Sequence, residues 1–163
     1  MRSKNTARTL IAPIRCESEK MTGPEKIQSA DRMVTVAQYG RFLDAHPSID
    51  KPLYWDQQKH CLDYPTVGVS ALEADTYAAC VGGSLPTEKW WIDNYEKLPD
   101  GYGLYEWTST ADGLGNKRHI LRGGSWRSLR DFARAAYRYF IRPASRYSFV
   151  GFRVVGVVSP PSN

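Results

Sequence analysis

No apolar run in the 163-residue chain approaches the ~20 residues that cross a bilayer as a helix, so no membrane span is expected. Cysteine is scarce and odd in number: Cys16, Cys61 and Cys80. No C-x-x-C pair and no Cys/His cluster with zinc spacing occurs, and His46, His60 and His119 are scattered. A Cys61–Cys80 disulfide is open, three reduced thiols being the simpler account. The start, Met1 to Ile11, is basic but lacks the apolar stretch of a signal peptide. Secretion by the usual route is therefore not expected; a cytoplasmic, virion-associated or partner-displayed protein fits.

Lysine is absent from residues 122–153, while arginine is abundant there. Eight Arg (122, 127, 130, 134, 138, 142, 146 and 153) face one acid, Asp131, so the segment carries +7 against −2 for the rest of the chain. Such an excess suits an anionic partner such as nucleic acid. It equally suits guanidinium groups that organise a loop-rich region by bonding carboxylates and backbone carbonyls, and that reading is preferred.

Three helix starts are legible. Thr35 followed by Gln38 is a capping box, and Val36, Tyr39, Phe42 and Leu43 form the stripe behind it, ended by Pro47. Ser70 and Glu73 form a second box, opening a helix through Tyr77 and Ala78 that stops at Gly82-Gly83. Thr87-Glu88, with Pro86 before it, opens a third. Beyond Pro99 glycines punctuate the chain. The runs 105–108, 119–122 and 150–155 read as short strands. The arginines at 130, 134, 138, 142 and 146 have helical spacing. Pro143 inside the series and the lack of an apolar stripe favour irregular loop with strand pieces. Helices early and strands late predict an α+β fold with loops, short strands and a few helices. One domain is expected over 1–163, its first thirty residues showing no pattern and expected to be partly mobile, with a frayed tail expected from Ser159.

Several motifs in order carry a resemblance. Val34-Thr35-Val36-Ala37-Gln38-Tyr39, Leu85-Pro86-Thr87-Glu88, Tyr105-Glu106-Trp107-Thr108, Leu121-Arg122-Gly123-Gly124-Ser125-Trp126 and Gly151-Phe152-Arg153-Val154-Val155 resemble the formylglycine-generating enzyme (sulfatase-modifying factor) family. That resemblance implies a variant of the C-type lectin fold over about residues 30–155. The family's catalytic members bind copper through two cysteines just after the Gly-Gly-Ser-aromatic motif. Ser128 and Ala133 hold those places here, and neither supplies a thiolate. Gly103 stands where the family's calcium-binding Asn is found, removing a hard ligand. No catalytic residue, metal or cofactor is therefore assigned. Glu106 is read as a structural carboxylate paired to an Arg, the other reading being a buried acid with a raised pKa.

The pattern R-A-A-x-R-x-x-x-R-P-A-x-R-x-x-x-V-G-F-R, from Arg134 to Arg153, resembles the variable region of diversity-generating retroelement proteins. In those proteins, positions coded as Asn in a template become many residues and line one exposed binding surface. The resemblance implies a ligand-binding region at about 122–153 made of Arg127, Ser128, Leu129, Asp131, Phe132, Tyr137, Tyr139, Phe140, Ile141, Ser145, Tyr147, Ser148 and Phe149. None of these thirteen is Lys, Glu, Gln, Met or Trp, which mutation of an AAC codon cannot produce; composition alone would put about two there. A Tyr/Ser-rich surface with Arg is also the composition of antibody binding sites. The same aromatics could instead fill a core, but they alternate with Arg and Ser rather than with aliphatic residues. The expected function is non-catalytic binding of a macromolecule, a protein surface being the first choice and nucleic acid unlikely. The alternatives are a diverged enzyme of the formylglycine-generating type and a nucleic-acid binder that uses the Arg/aromatic segment.

Overall fold

Local hydrogen bonds begin all three long helices where the capping residues stand. In the computed structural model, which describes residues 32–98, 103–113, 118–124 and 138–156, Gln38 N–H donates to Thr35 Oγ1 at 3.3 Å. Thr35 N–H donates in return to Gln38 Oε1 at 2.9 Å. Helix α1 (Val36–Ala45) then buries Val36, Tyr39, Phe42 and Leu43 on one stripe and stops before Pro47. Ser70 and Glu73 make the same reciprocal pair at the start of α3 (Ala71–Cys80), after a single helical turn, α2 (Trp55–Gln58). Gly82 follows α3 with φ +80°, the left-handed exit that glycine permits. Thr87 Oγ1 accepts from Trp90 N–H and opens α4 (Glu88–Asn94), which runs into a 3₁₀ turn, Tyr95–Lys97. The N-terminal segment and the tail beyond 156 lie outside the described residues. No helix among the described residues is long and apolar enough to cross a membrane.

Among the described residues there are four strands, β1 (Tyr105–Ala111), β2 (His119–Gly123), β3 (Tyr139–Ile141) and β4 (Val150–Gly151), in the sheet order β3-β2-β1-β4. β1 and β3 flank β2 antiparallel, whereas β4 lies parallel to β1. Helices early and strands late therefore form the α+β arrangement that the sequence predicts. The run 150–155 is not one strand. It leaves β1 after Gly151, returns Phe152 O to Val34 N–H, and pairs Val155 with Ser84 in both directions. Three partners, rather than one neighbouring strand, take its backbone groups.

Alternation along the strands sorts residues to two faces. Tyr105, Trp107, Leu121 and Ile141 join the core that α1 and α3 close with Tyr39, Phe42, Tyr77 and Phe152. Tyr39 stacks on Tyr77 at 5.6 Å, while Phe42 and Phe152 meet Tyr77 edge-on at 5.2 and 5.5 Å. Trp107 Nε1 donates to Val69 O at 2.8 Å, which satisfies the one polar atom of that large side chain. The other face of the sheet carries Glu106, Thr108, Ile120 and Arg122, all buried, with α4 against β1 and β2.

Glu106 is a structural carboxylate. Arg153, only 1% exposed, holds it with both prongs, Nε to Oε2 at 2.5 Å and Nη2 to Oε1 at 2.7 Å. The open pairing of Cys61 with Cys80 does not form. Cys61 is a free, exposed thiol. Cys80 is disulfide-bonded, its partner lying outside the described residues, which also corrects the expectation of three reduced thiols. Cys80 is buried at the last position of α3, so its bond ties the helix end rather than the exposed turn that holds Cys61.

Two outcomes follow for stability. Removing one partner of the buried pair, Glu106→Gln, should cost about 3–5 kcal/mol in denaturant unfolding, since Arg153 would keep an uncompensated buried charge. Tyr39 and Tyr77 have pKa values raised by burial, Glu73 adding to the effect at Tyr39. Both tyrosines contribute stability that is present below the unfolded tyrosine value near 10 and lost as pH climbs above it. Tyr39 Oη has no hydrogen-bond partner among the described residues. Tyr39→Phe should therefore raise stability by about 1 kcal/mol at neutral pH and flatten the alkaline loss in melts taken across pH 9–11.

Candidate functional site

Arginines of the 122–153 segment meet carboxylates supplied from elsewhere in the fold. Glu88, in the first turn of α4, takes two: Arg122 Nε at 2.9 Å, and Arg138 through Nε at 2.6 Å and Nη2 at 2.8 Å. Burial pushes the Arg122 pKa down, and Glu88 opposes that shift. Arg146 grips both oxygens of Glu73, in the first turn of α3, Nε lying 3.0 Å from Oε2. Its third nitrogen reaches Lys51 O at 3.4 Å. With Arg153 on Glu106, four of the segment's five described arginines are bound to acids; the fifth, Arg142, is exposed. The organising role preferred from the sequence is what these four perform. Arg127, Arg130 and Arg134 lie outside the described residues.

Beside this frame runs a row of rings. Tyr139 stacks on Tyr105 at 5.8 Å and 28°, Tyr105 meets Phe149 at 6.2 Å and 69°, and Phe149 meets Tyr147 at 5.1 Å and 33°. Tyr139 and Tyr147 are 43% and 39% exposed, whereas Tyr105 is buried and Phe149 half-buried. Tyr105 and Phe149 form the floor and the two outer tyrosines the surface. Backbone bonds hold the row in place: Tyr105 N–H donates to Phe149 O at 2.9 Å, and Gly68 N–H donates to Tyr147 O at 3.0 Å. Pro143 O accepts from Ala71 N–H at 2.9 Å, tying the loop between Tyr139 and Tyr147 to the start of α3.

The residues predicted to bind ligand separate into groups. Tyr139, Tyr147 and Ser148 are exposed, and Ser145 and Phe149 half-exposed. Ile141 is a correction: it is 5% exposed and belongs to the core, because β3 turns it to the face that α1 and α3 cover. Phe140, between the two, turns to the opposite face, where Arg118 and Arg138 lie over its ring at 5.8 and 5.4 Å. Tyr139, Phe140 and Ile141 thus do not share one surface. Arg127, Ser128, Leu129, Asp131, Phe132 and Tyr137 lie outside the described residues, as does Ala133. Tyr105 is the residue that sequence reasoning missed. Alternation with the buried Trp107 pointed to its face, but only the crossing of Phe149 and Tyr139 makes it the floor of the row. Gly103 takes φ +68°, a left-handed conformation that Gly and Asn share most readily. Among the described residues no three His, Cys, Asp or Glu side chains cluster as a metal site would need.

Residues 90–157 match the sulfatase-modifying factor enzyme 1-like domain. That similarity covers under half of the chain. It takes in all four strands, the Glu106–Arg153 pair and the ring row, and leaves out α1, α3 and Glu73. No curated protein matches the chain.

The division between ring row and core is measurable. Ile141→Ala should cost about 2–5 kcal/mol, as buried aliphatic truncations do. Tyr139→Ser and Tyr147→Ser should each cost at most about 1 kcal/mol, the worth of one aromatic pair. Chemical denaturation of the three variants checks the ranking.

Proposed function

We propose that the chain is a non-catalytic ligand-binding protein of the diversity-generating retroelement kind, a single domain with a C-type lectin-like scaffold that offers a diversified surface to a protein partner. The observation that carries this reading is the ring row: two exposed tyrosines stand over two covered rings, within a segment where four of the five described arginines are bound to scaffold acids. Tyrosine gives large contact area for few rotatable bonds, which suits hot-spot anchors at a protein interface. Ser148 beside Tyr147 adds a small hydrogen-bonding group at an exposed position.

The engaged arginines also weigh against the nucleic-acid reading. A guanidinium already bound to a carboxylate gains little when it meets a phosphate, so the four paired arginines would add little counterion release to binding. Affinity for arbitrary single-stranded DNA or RNA should be weak, and its slope against log salt shallow. The enzyme reading is disfavoured by Ser128 and Ala133 at the places of the copper thiolates. Treatment with a chelator should accordingly leave the melting temperature unchanged. A fall in melting temperature together with stoichiometric copper or calcium would restore that alternative.

Sequencing the surrounding locus tests the diversification directly. The expected result is a near-copy of the coding DNA for 127–149, with adenines at the mixed positions, beside a reverse-transcriptase gene. A locus with neither would overturn it.

A further inference from the structure

The ring row has a neighbour far away in sequence. Gly68 donates its N–H to Tyr147 O at 3.0 Å and accepts Leu53 N–H on its own carbonyl at 2.9 Å. One glycine thus joins the turn after Pro52 to the end of the ring row. Its φ is +74°, and a Cβ there would run into the carbonyl of Leu53, so the two backbones meet at a place only glycine fits.

The turn itself is held and strained. Tyr54 has φ 64° and ψ 24°, a left-handed conformation that costs a bulky side chain energy, and it is the one non-glycine residue with positive φ among those described. Gln58 fastens it: the amide nitrogen donates to Leu53 O at 3.2 Å and Val67 O at 2.9 Å, and the amide oxygen accepts from Val67 N–H at 3.0 Å. Arg146 adds its bond to Lys51 O. All this bonding presents two large apolar side chains to solvent, Leu53 at 41% and Tyr54 at 49% exposure. Nearby, Lys51 and Trp55 line a cleft of about 450 Å³ together with Leu43, Asp44, Pro47 and Ile49. Backbone strain and four side-chain bonds that serve to hold apolar groups in water describe a contact prepared in advance.

We infer that Leu53 and Tyr54 form a fixed flank of the binding surface, touching the same protein partner as Tyr147. This rests on the binding reading proposed above. The flank lies outside the 122–153 segment, so diversification confined to that segment would leave it unchanged. The partner it fits is a folded protein with an apolar patch, since Leu53 offers no polar group, edged by acceptors for the Tyr hydroxyls, Lys51 and Arg142 and by donors for exposed Asp50 and Asp56.

The test uses the full chain on the yeast surface, varied only at Tyr139, Tyr147 and Ser148 and selected on immobilised ubiquitin. Recovered binders then receive Leu53→Ser or Tyr54→Gly. Either change should weaken binding tenfold or more, while Ile92→Ser, an exposed control on α4, leaves it unchanged. Glycine suits the left-handed position, so Tyr54→Gly should hold or raise the melting temperature by about 2–4 °C, which separates lost contact from lost fold. Binders that tolerate both substitutions overturn the fixed flank and leave the ring row standing. A library that returns no binders overturns the binding surface itself.

Discussion

The strand-and-loop segment from Arg138 to Arg153 is held in place by carboxylates that other elements supply. Glu73 and Glu88 stand in the first turns of α3 and α4, and Glu106 stands on β1. A helix start already favours negative charge, so each helical acid is well placed before its arginine arrives. Glu73 has a second task, because the carboxylate that grips Arg146 also accepts the Ser70 N–H of the capping box. The start of α3 and the loop between Tyr139 and Tyr147 therefore depend on one side chain. Arginine suits these sites better than lysine, since its planar fork meets both oxygens at once.

Such a frame places the stabilising contacts apart from the exposed rings. The buried Glu106–Arg153 pair is costly to break from one side, although two well-packed apolar residues could replace it at little cost. What the pair secures is geometry. β4 lies beside β1 at the right register for Phe149 to reach Tyr105, and Tyr105 is where Tyr139 stacks. Exposed residues that stand on a buried ring can change without disturbing the arginine contacts, provided the floor remains. Ile141 and Phe140 show the limit of that freedom, one sealed in the core and the other covered by two guanidiniums.

At any binding surface, affinity depends on how little order must be created when the partner arrives. The glycine at 68, the Gln58 clasp and the Arg146 bonds order the neighbouring turn in the absence of a partner. They connect residues 51–68 to 145–149, two stretches of chain about eighty residues apart.

Local features were legible because their partners lie three or four residues away. Both capping boxes, the stripe of α1 and the glycine exit from α3 follow from spacing alone. The α+β class follows from where helical spacing stops and glycine begins. That Glu106 would pair with an arginine was legible from the scarcity of unpaired buried acids; which arginine was not, since forty-seven residues separate Glu106 from Arg153. The same limit hid the break after Gly151, the floor role of Tyr105 and the left-handed Tyr54. Ile141 was misread for a related reason: a three-residue strand carries too little alternation to reveal which of its faces the core will cover. The sequence determined the elements and the supply of charge and aromatic groups. Tertiary structure decided which of those groups remain for a partner, because burial and ion pairing are properties of neighbours that the chain brings together only when it folds.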